Sequence, residues 1–394
     1  MTGVNLMRNK GKVIIVARSL PLHNIGGMEV VCWDLCKELA RLGLNVQVVT
    51  TQSNTQDHNI KHDNLDVIFL KNTKPGVYSS SWWREVSRYF DTLNPEEITS
   101  VISISAAAVS ILKNKNHFKK TKFIMQAHGT SYGEFVSKLK TYSIKKWLAS
   151  SKNILWFFKD WRYYRKFDYI ISIGSAVTES LKSTPTKYIA DAEKIIQIEN
   201  GIDEKMFELN LFDRENMRRS LNIHENALVV MSASRLHEQK GVDNNIYAFS
   251  RVLKENADAY YLVCGDGPDK TRLSDLVNKL NIERNVIFLG SMSRDEIAKA
   301  MSAADLFIFL TKRVEGLPLN VLEAMGAGLP VVTSEHLSFI ESEKLRKVGY
   351  SDMNGAAEAI MKLYQQGKPN LRMSYIPEKN KLSYAAEQYR NLIA

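Results

Sequence analysis

Short apolar runs alternate with helical stretches along this chain, and they do so twice over. In the first half, strands are expected at Val13–Ala17, Val46–Thr50, Val67–Leu70, Val101–Ile104, Phe123–Ala127, Tyr169–Ile173 and Ile195–Ile198. In the second half they are expected at Leu228–Ser232, Tyr260–Cys264, Val286–Leu289, Leu306–Leu310 and Val331–Thr333. Runs this short and this continuously apolar suit strands buried on both faces. Helices between them suit the crossovers that a parallel sheet requires. Two such runs in 394 residues predict an α/β protein with two doubly wound domains. Asn200-Gly201-Ile202-Asp203 breaks the pattern. The expected division is residues 1–203, residues 204–378, and a final segment 379–394 whose helix, Leu382–Ile393, follows a Pro- and Lys-rich connector.

Composition excludes several classes. No apolar run approaches the ~20 residues that span a bilayer. The apolar block Val13–Ala17 is too short for a signal-peptide core. Three cysteines make no disulfide framework. Cys32, Cys36 and Cys264 read as small core residues compatible with a reducing cytosol. The formal net charge of +10 favours an anionic partner without choosing one.

In doubly wound sheets, ligands bind outside the carboxyl ends of the strands, and the sequence places its unusual residues there. Gly26-Gly27 closes the loop after the first strand; its backbone can approach a phosphate. It is not G-x-G-x-x-G, which argues against a nicotinamide dehydrogenase. His128-Gly129 follows the fifth strand, where an imidazole can bond a sugar or move a proton. Arg235 and Lys240 follow the first strand of the second half. Two cations there would stabilise charge on a departing diphosphate without a metal. Gly265-Asp266-Gly267-Pro268 is a glycine turn after the next strand. Glu315 and Glu323 flank Gly316-Leu317-Pro318-Leu319-Asn320, turn chemistry leading into a helix. The helix start suits a phosphate. A carboxylate beside it suits the hydroxyls of a sugar.

Taken together and in this order, Gly26-Gly27, His128-Gly129, Asn200-Gly201-Ile202-Asp203, Ser234-Arg235-Leu236 with Lys240-Gly241, Gly265-Asp266-Gly267-Pro268, and Glu315 with Glu323 resemble the retaining GT-B glycosyltransferases of family four. The resemblance covers nearly the whole chain. It implies two Rossmann-like domains with an interdomain cleft, and a hexosyltransferase-type enzyme using a nucleotide-diphosphate sugar, UDP-sugar ahead of GDP-sugar. It implies no cofactor and no metal; the chain also has no Asp-x-Asp pair. By resemblance Glu315 contacts donor-sugar hydroxyls and Glu323 the ribose. Arg235 and Lys240 clamp the diphosphate, with Gly26, Gly27, Gly265, Gly267, Gly316, Leu317, Leu319 and Asn320 around the donor. His128 lies near the transferred sugar. The mechanism implied is front-face attack with retention, and the last helix resembles a crossover that packs back on the first domain. Ser334–Tyr350 departs from the pattern: it lacks the family's glycine-rich return and reads as a shortened segment.

Residues 138–166 carry nine Lys/Arg, one acid and eight aromatics. Lys145, Lys146, Trp156 and Trp161, with Trp82 and Trp83 elsewhere in the first half, are candidates for the acceptor or membrane side. The expected acceptor is a lipid-linked or lipopolysaccharide-type surface glycan. The expected location is cytoplasmic, peripheral on the inner face of the plasma membrane. No nucleic-acid module is visible. Two alternatives stand beside this: a soluble enzyme making a small glycoside or disaccharide phosphate, and a non-catalytic nucleotide-sugar-binding scaffold.

Overall fold

The computed structural model describes residues 11–23, 26–53, 62–129, 162–313, 315–366 and 371–393. The chain divides into two compact units, Met1–Gly201 with Leu382–Ala394, and Ile202–Lys381.

Unit 1 is built on seven strands: β1 (Lys12–Val16), β2 (Asn45–Thr51), β3 (Leu65–Leu70), β4 (Ile98–Ile104), β5 (Lys122–Ala127), β6 (Tyr169–Ser172) and β7 (Ile195–Gln197). Their order is β3-β2-β1-β4-β5-β6-β7, and every pairing is parallel. Unit 2 carries β8 (Leu228–Ala233), β9 (Ala259–Cys264), β10 (Val286–Gly290), β11 (Leu306–Phe309), β12 (Val331–Ser334) and β13 (Leu345–Val348). Their order is β10-β9-β8-β11-β12-β13, again all parallel. Each sheet reverses its strand order once, between β1 and β4 and between β8 and β11. Those two points are where a doubly wound sheet opens a crevice.

All the expected strands form, and the sheets are covered on both faces. Alternate side chains of β1 serve opposite layers: Ile14 and Val16 join one core cluster, Val13, Ile15 and Ala17 the other. In β11, Phe307 and Phe309 face one layer while Leu306, Ile308 and Leu310 at its end face the other. Each fully buried side chain of this kind is worth ~1.5–3 kcal/mol. The strand that sequence reading missed is β13. Leu345-Arg346-Lys347-Val348 holds two half-buried cations and shows no apolar run. Its register on β12 makes it the edge strand of unit 2, inside the segment read as shortened.

The helix α1 (Gly27–Arg41) and the terminal helix α10 (Leu382–Ile393) share one face of the unit 1 sheet. Ala385 and Ala386 allow α10 to approach closely, and Tyr389 and Ile393 complete its buried stripe. On the other face, α2 (Ser80–Asp91) starts at Ser79, whose hydroxyl accepts the Trp82 N–H at 3.1 Å. Trp82, Val86 and Phe90 recur every four residues and turn inward. Trp82 is therefore a correction. It is fully buried, and its indole Nε1–H donates to the Ala107 carbonyl at 3.2 Å, so it supports the core and meets neither acceptor nor membrane. Trp83 is half-buried and stacks on Tyr78 with centroids 5.1 Å apart. Where a helix was expected after β4, the chain makes turns and a 3-10 stretch, Ile111–His117.

Unit 1 also holds α3 (Ser175–Lys182), and unit 2 holds α4 (Leu211–Ser220), α5 (Val242–Glu255), α6 (Lys270–Lys279), α7 (Arg294–Ala303), α8 (Leu319–Gly326) and α9 (Met353–Gln366). Arg214 and Arg218, one turn apart on α4, grip the two oxygens of buried Asp305 at 2.7 Å each. Arg214 Nη1 and Arg218 Nε donate to the carbonyls that end α7, Ser302 to Ala304, and Arg218 Nη1 to those of His224, Glu225 and Ala227. Cations at a helix C-terminus are favoured by its dipole. Asp305 also accepts the Val229 N–H at 2.8 Å, which ties the cluster to β8. Asp305→Asn leaves two buried guanidinium groups without their counter-charge. Urea unfolding should show a loss of about 3–5 kcal/mol, far more than for an exposed Asp91→Asn control.

Candidate active site

In unit 2 the loops after β8 and β11 leave the switch point side by side and are stitched together. Lys312 N–H and the Thr311 hydroxyl both donate to the Gln239 carbonyl at 3.0 Å. The Leu310 N–H donates to the Asn245 side chain at 3.0 Å. Gly241 sits where they cross, with φ of +67°, and a Cβ there would lie 1.8 Å from the Leu310 carbonyl oxygen. Only glycine fits.

This crossing brings Lys240 and Glu315 together. Their side chains, 75 residues apart in sequence, meet at 2.7 Å, both mostly shielded from solvent. The Lys240 ammonium also lies 5.7 Å from the Phe309 ring centroid. Arg235, on the same loop as Lys240, is exposed and forms no side-chain hydrogen bond or ion pair among the described residues. Gly316 and Leu317 continue the loop, Leu317 packing on the core beneath. The helix α8 begins at Leu319, one residue later than Pro318 suggested; Pro318 is its N-cap. Asn320 anchors this helix start, its amide donating to the Ala233 carbonyl at the end of β8 at 2.9 Å. The first N–H groups of any helix lack intrahelical partners, so α8 starts beside the Lys240–Glu315 pair with donors to offer.

Glu323, in the next turn of α8, is buried and accepts from the Arg294 guanidinium at 3.1 Å. Arg294 in turn lies 5.3 Å from the Phe207 ring centroid. Sequence reading missed Arg294, because its link to Glu323 spans 29 residues and two helices. Ser293 with Glu296 forms a capping box at that helix start, and this was the one local signal that could have drawn attention to it.

Gly265 and Gly267 allow one loop to rest on another. Cβ atoms there would lie 1.9 Å from the Ser234 carbonyl and 2.2 Å from the Leu236 carbonyl. The Leu236 N–H donates to the Asp266 carbonyl at 2.9 Å. These glycines press the β9 loop against the loop that carries Arg235, so they shape its position.

In unit 1, Gly26 is the extended N-cap of α1 and Gly27 its first residue. The buried Glu29 folds back over them: a Cβ on Gly26 would lie 2.5 Å from its carboxylate. His128 follows β5 and is half-buried. Its Nε2 lies 2.9 Å from Gln126 Oε1, and burial lowers its pKa from 6.5 to about 4. Lys145, Lys146, Trp156 and Trp161 lie outside the described residues. Of the aromatics that follow them, Tyr164 is buried and Tyr163 half-buried against the unit 1 core. Among the described residues no helix is long and apolar enough to cross a membrane.

Two family models match the chain: glycosyltransferase family 4 over residues 25–205, and glycosyl transferases group 1 over residues 213–381. An uncharacterized glycosyltransferase of Methanocaldococcus jannaschii is 23% identical over 82% of this chain and 80% of its own length. An alpha-monoglucosyldiacylglycerol synthase of Streptococcus pneumoniae is 30% identical over 47% of this chain and 42% of its own. An O-antigen biosynthesis glycosyltransferase of Escherichia coli is 34% identical over 39% of this chain and 41% of its own. Among solved structures, the sucrose-phosphate synthase of Thermosynechococcus elongatus superposes with a TM-score of 0.73 at 17% identity, covering 97% of each chain. The Anabaena protein HepE, solved in complex with UDP-glucose, superposes at 0.70 and 18%, covering 97% of this chain and 99% of its own. These superpositions show the fold, two parallel-sheet Rossmann-like domains of the GT-B type.

The lowered His128 pKa has a direction that can be checked. Its folded value lies below the 6.5 of an unperturbed imidazole. As pH falls through 6.5 the unfolded chain takes up a proton that the folded protein does not. Stability is therefore lost between pH 6.5 and about 4, and the loss levels off below, with an upper bound on the order of 3 kcal/mol. Urea midpoints at pH 7 and pH 5 should fall further for the wild type than for His128→Asn. Equal drops would show that the folded imidazole does not resist protonation.

Proposed function

Because the chain belongs to the group 1 glycosyltransferases, we propose that it moves a sugar from a nucleotide-diphosphate donor to a glycan acceptor with retention of anomeric configuration. The observation that carries this reading is the Lys240–Glu315 ion pair at the start of α8. A half-buried carboxylate and ammonium hold one another ready. An arriving diphosphate offers Lys240 a stronger anion, and its negative charge also suits Arg235 and the helix start. Glu315, released from Lys240, can then accept from hydroxyls of the donor sugar. Glu323, kept in place by Arg294, is assigned to the ribose hydroxyls. His128 is assigned to a hydroxyl of the transferred sugar. The two cations stabilise the departing diphosphate, whose oxygen takes the acceptor's proton as the new glycosidic bond forms on the same face. No metal is needed in this scheme. UDP is favoured over GDP as the base-bearing half, in keeping with HepE, which was solved with UDP-glucose.

For the acceptor we propose a lipid-linked or lipopolysaccharide-type surface glycan, with the enzyme peripheral on the cytoplasmic face of the membrane. The glycolipid synthase and the O-antigen enzyme among its relatives support that class, as does the basic, aromatic composition of residues 138–166. Flotation with vesicles containing phosphatidylglycerol should carry the protein at low salt and release it at high salt. Failure to float at any salt would favour a soluble acceptor.

The donor reading is tested by thermal shift with UDP, GDP and their sugars, first without metal and then with magnesium. A ligand at 100 times its Kd adds about 2.7 kcal/mol to the folded state, a rise of several degrees. Lys240→Ala and Arg235→Ala should abolish that rise. Glu315→Gln should keep most of it while lowering kcat by roughly a hundredfold or more. A shift seen only with magnesium would replace the metal-free scheme, and no shift with any nucleotide would sink it.

A further inference from the structure

The last helix of the chain reaches His128 through one intermediary. Tyr389 of α10 is fully buried, and its phenolic oxygen accepts a hydrogen bond from Gln126 Nε2 at 2.8 Å. Gln126 is itself buried, on β5. Its other amide atom, Oε1, faces His128 Nε2 at 2.9 Å. Gln126 faces the side of the sheet covered by α1 and α10, where Tyr389 lies, and His128 meets it from just beyond the end of β5.

We propose that Tyr389 is a positioning residue which, through Gln126, sets the tautomer of His128 and leaves Nδ1 as its free proton acceptor. The chain of donors and acceptors gives the reason. An amide has a donating end and an accepting end. With its NH2 committed to Tyr389, Gln126 offers only its carbonyl oxygen to His128. A carbonyl oxygen is satisfied by an N–H, so Nε2 carries the hydrogen. In a neutral imidazole the other nitrogen is then unprotonated. Burial keeps the ring neutral near pH 7 and also holds the phenol above its ordinary range, so neither end of the chain titrates there. The tautomer thus follows from the amide orientation, in which the NH2 faces the phenol oxygen and Oε1 faces the imidazole. This deepens the proposed function and rests on it in one respect: Nδ1 is the atom that would accept from a sugar hydroxyl.

Removing the Tyr389 oxygen frees the amide to turn over. In Tyr389→Phe the ring still fills its place in the layer that holds Ile124 and Ile171, but the Gln126 NH2 is left buried without a partner, which is costly. Rotating the amide presents NH2 to His128 Nε2, and the ring then carries its hydrogen on Nδ1. Gln126→Met removes both ends of the amide, so it leaves the two neutral tautomers mixed whatever Tyr389 does.

The test is nitrogen NMR of protein labelled with 15N-histidine, His128 being assigned by the signal lost in His128→Asn. Wild type should show the Nε2–H tautomer at pH 7, and Gln126→Met a mixture of the two. Tyr389→Phe should show a shift toward Nδ1–H, and with a competent donor and acceptor its kcat should fall about tenfold or more with donor KM little changed. An Nδ1–H signal in the wild type overturns the proposal without any variant. So does an unchanged Nε2–H signal in folded Tyr389→Phe. A tautomer that switches while kcat stays constant upholds the positioning role but removes His128 from the chemistry. Because the NMR measurement needs no substrate, it separates failure of this relay from failure of the glycosyltransferase reading.

Discussion

Parallel pairing of β8 with β11 is the constraint on which the candidate donor site depends. It aligns Leu306 with Val230 and Phe307 with Met231, so the two strands end together and their loops leave from one place. The loops then touch backbone to backbone, at a separation that excludes even a β-carbon at Gly241. Lys240 precedes that glycine and Glu315 lies five residues beyond Leu310. Their 2.7 Å contact is a consequence of that crossing. Gly265 and Gly267 repeat the arrangement one strand over, and fix the Arg235 loop from its other side. The glycines of this site are read best as spacers between loops, each allowing one backbone to rest on another.

Around that point, charges are held in pairs. Glu315 has Lys240, Glu323 has Arg294, and Asp305 has two arginines on the opposite, amino-terminal end of the same strand. The two kinds of pair differ in purpose. Asp305 is enclosed by guanidinium groups that are themselves saturated by backbone carbonyls, so it is structural. Lys240 and Glu315 retain partial access to solvent and stand beside an exposed arginine and a helix start. Such a pair can exchange its internal partner for a ligand at modest cost, because the cation is never left without an anion.

Much of this was legible in the sequence. The strand runs are apolar because both faces of each sheet are covered, and that pattern located every strand but β13. Helix α10 was expected after its Pro- and Lys-rich connector and, by resemblance, as a crossover, and the loop residues were legible from their position after strands. What failed did so for local reasons. β13 carries Arg346 and Lys347, since an edge strand needs only one well-buried position, Leu345. Trp82 was placed on the acceptor side by resemblance alone, because its segment matches one that borders the acceptor cleft in the family. The four-residue spacing to Val86 and Phe90 was the better guide to its face.

The sequence by itself determined the α/β class, the two-fold repetition of the winding, and the chemical kinds of group that stand at strand ends. These follow from periodicity and residue type, which are local. Only the tertiary structure decided which of those groups meet. Lys240 finds Glu315, Glu323 finds Arg294, and Gln126 joins His128 to Tyr389 across 263 residues. Such contacts depend on strand order and helix return, which no window of neighbouring residues encodes.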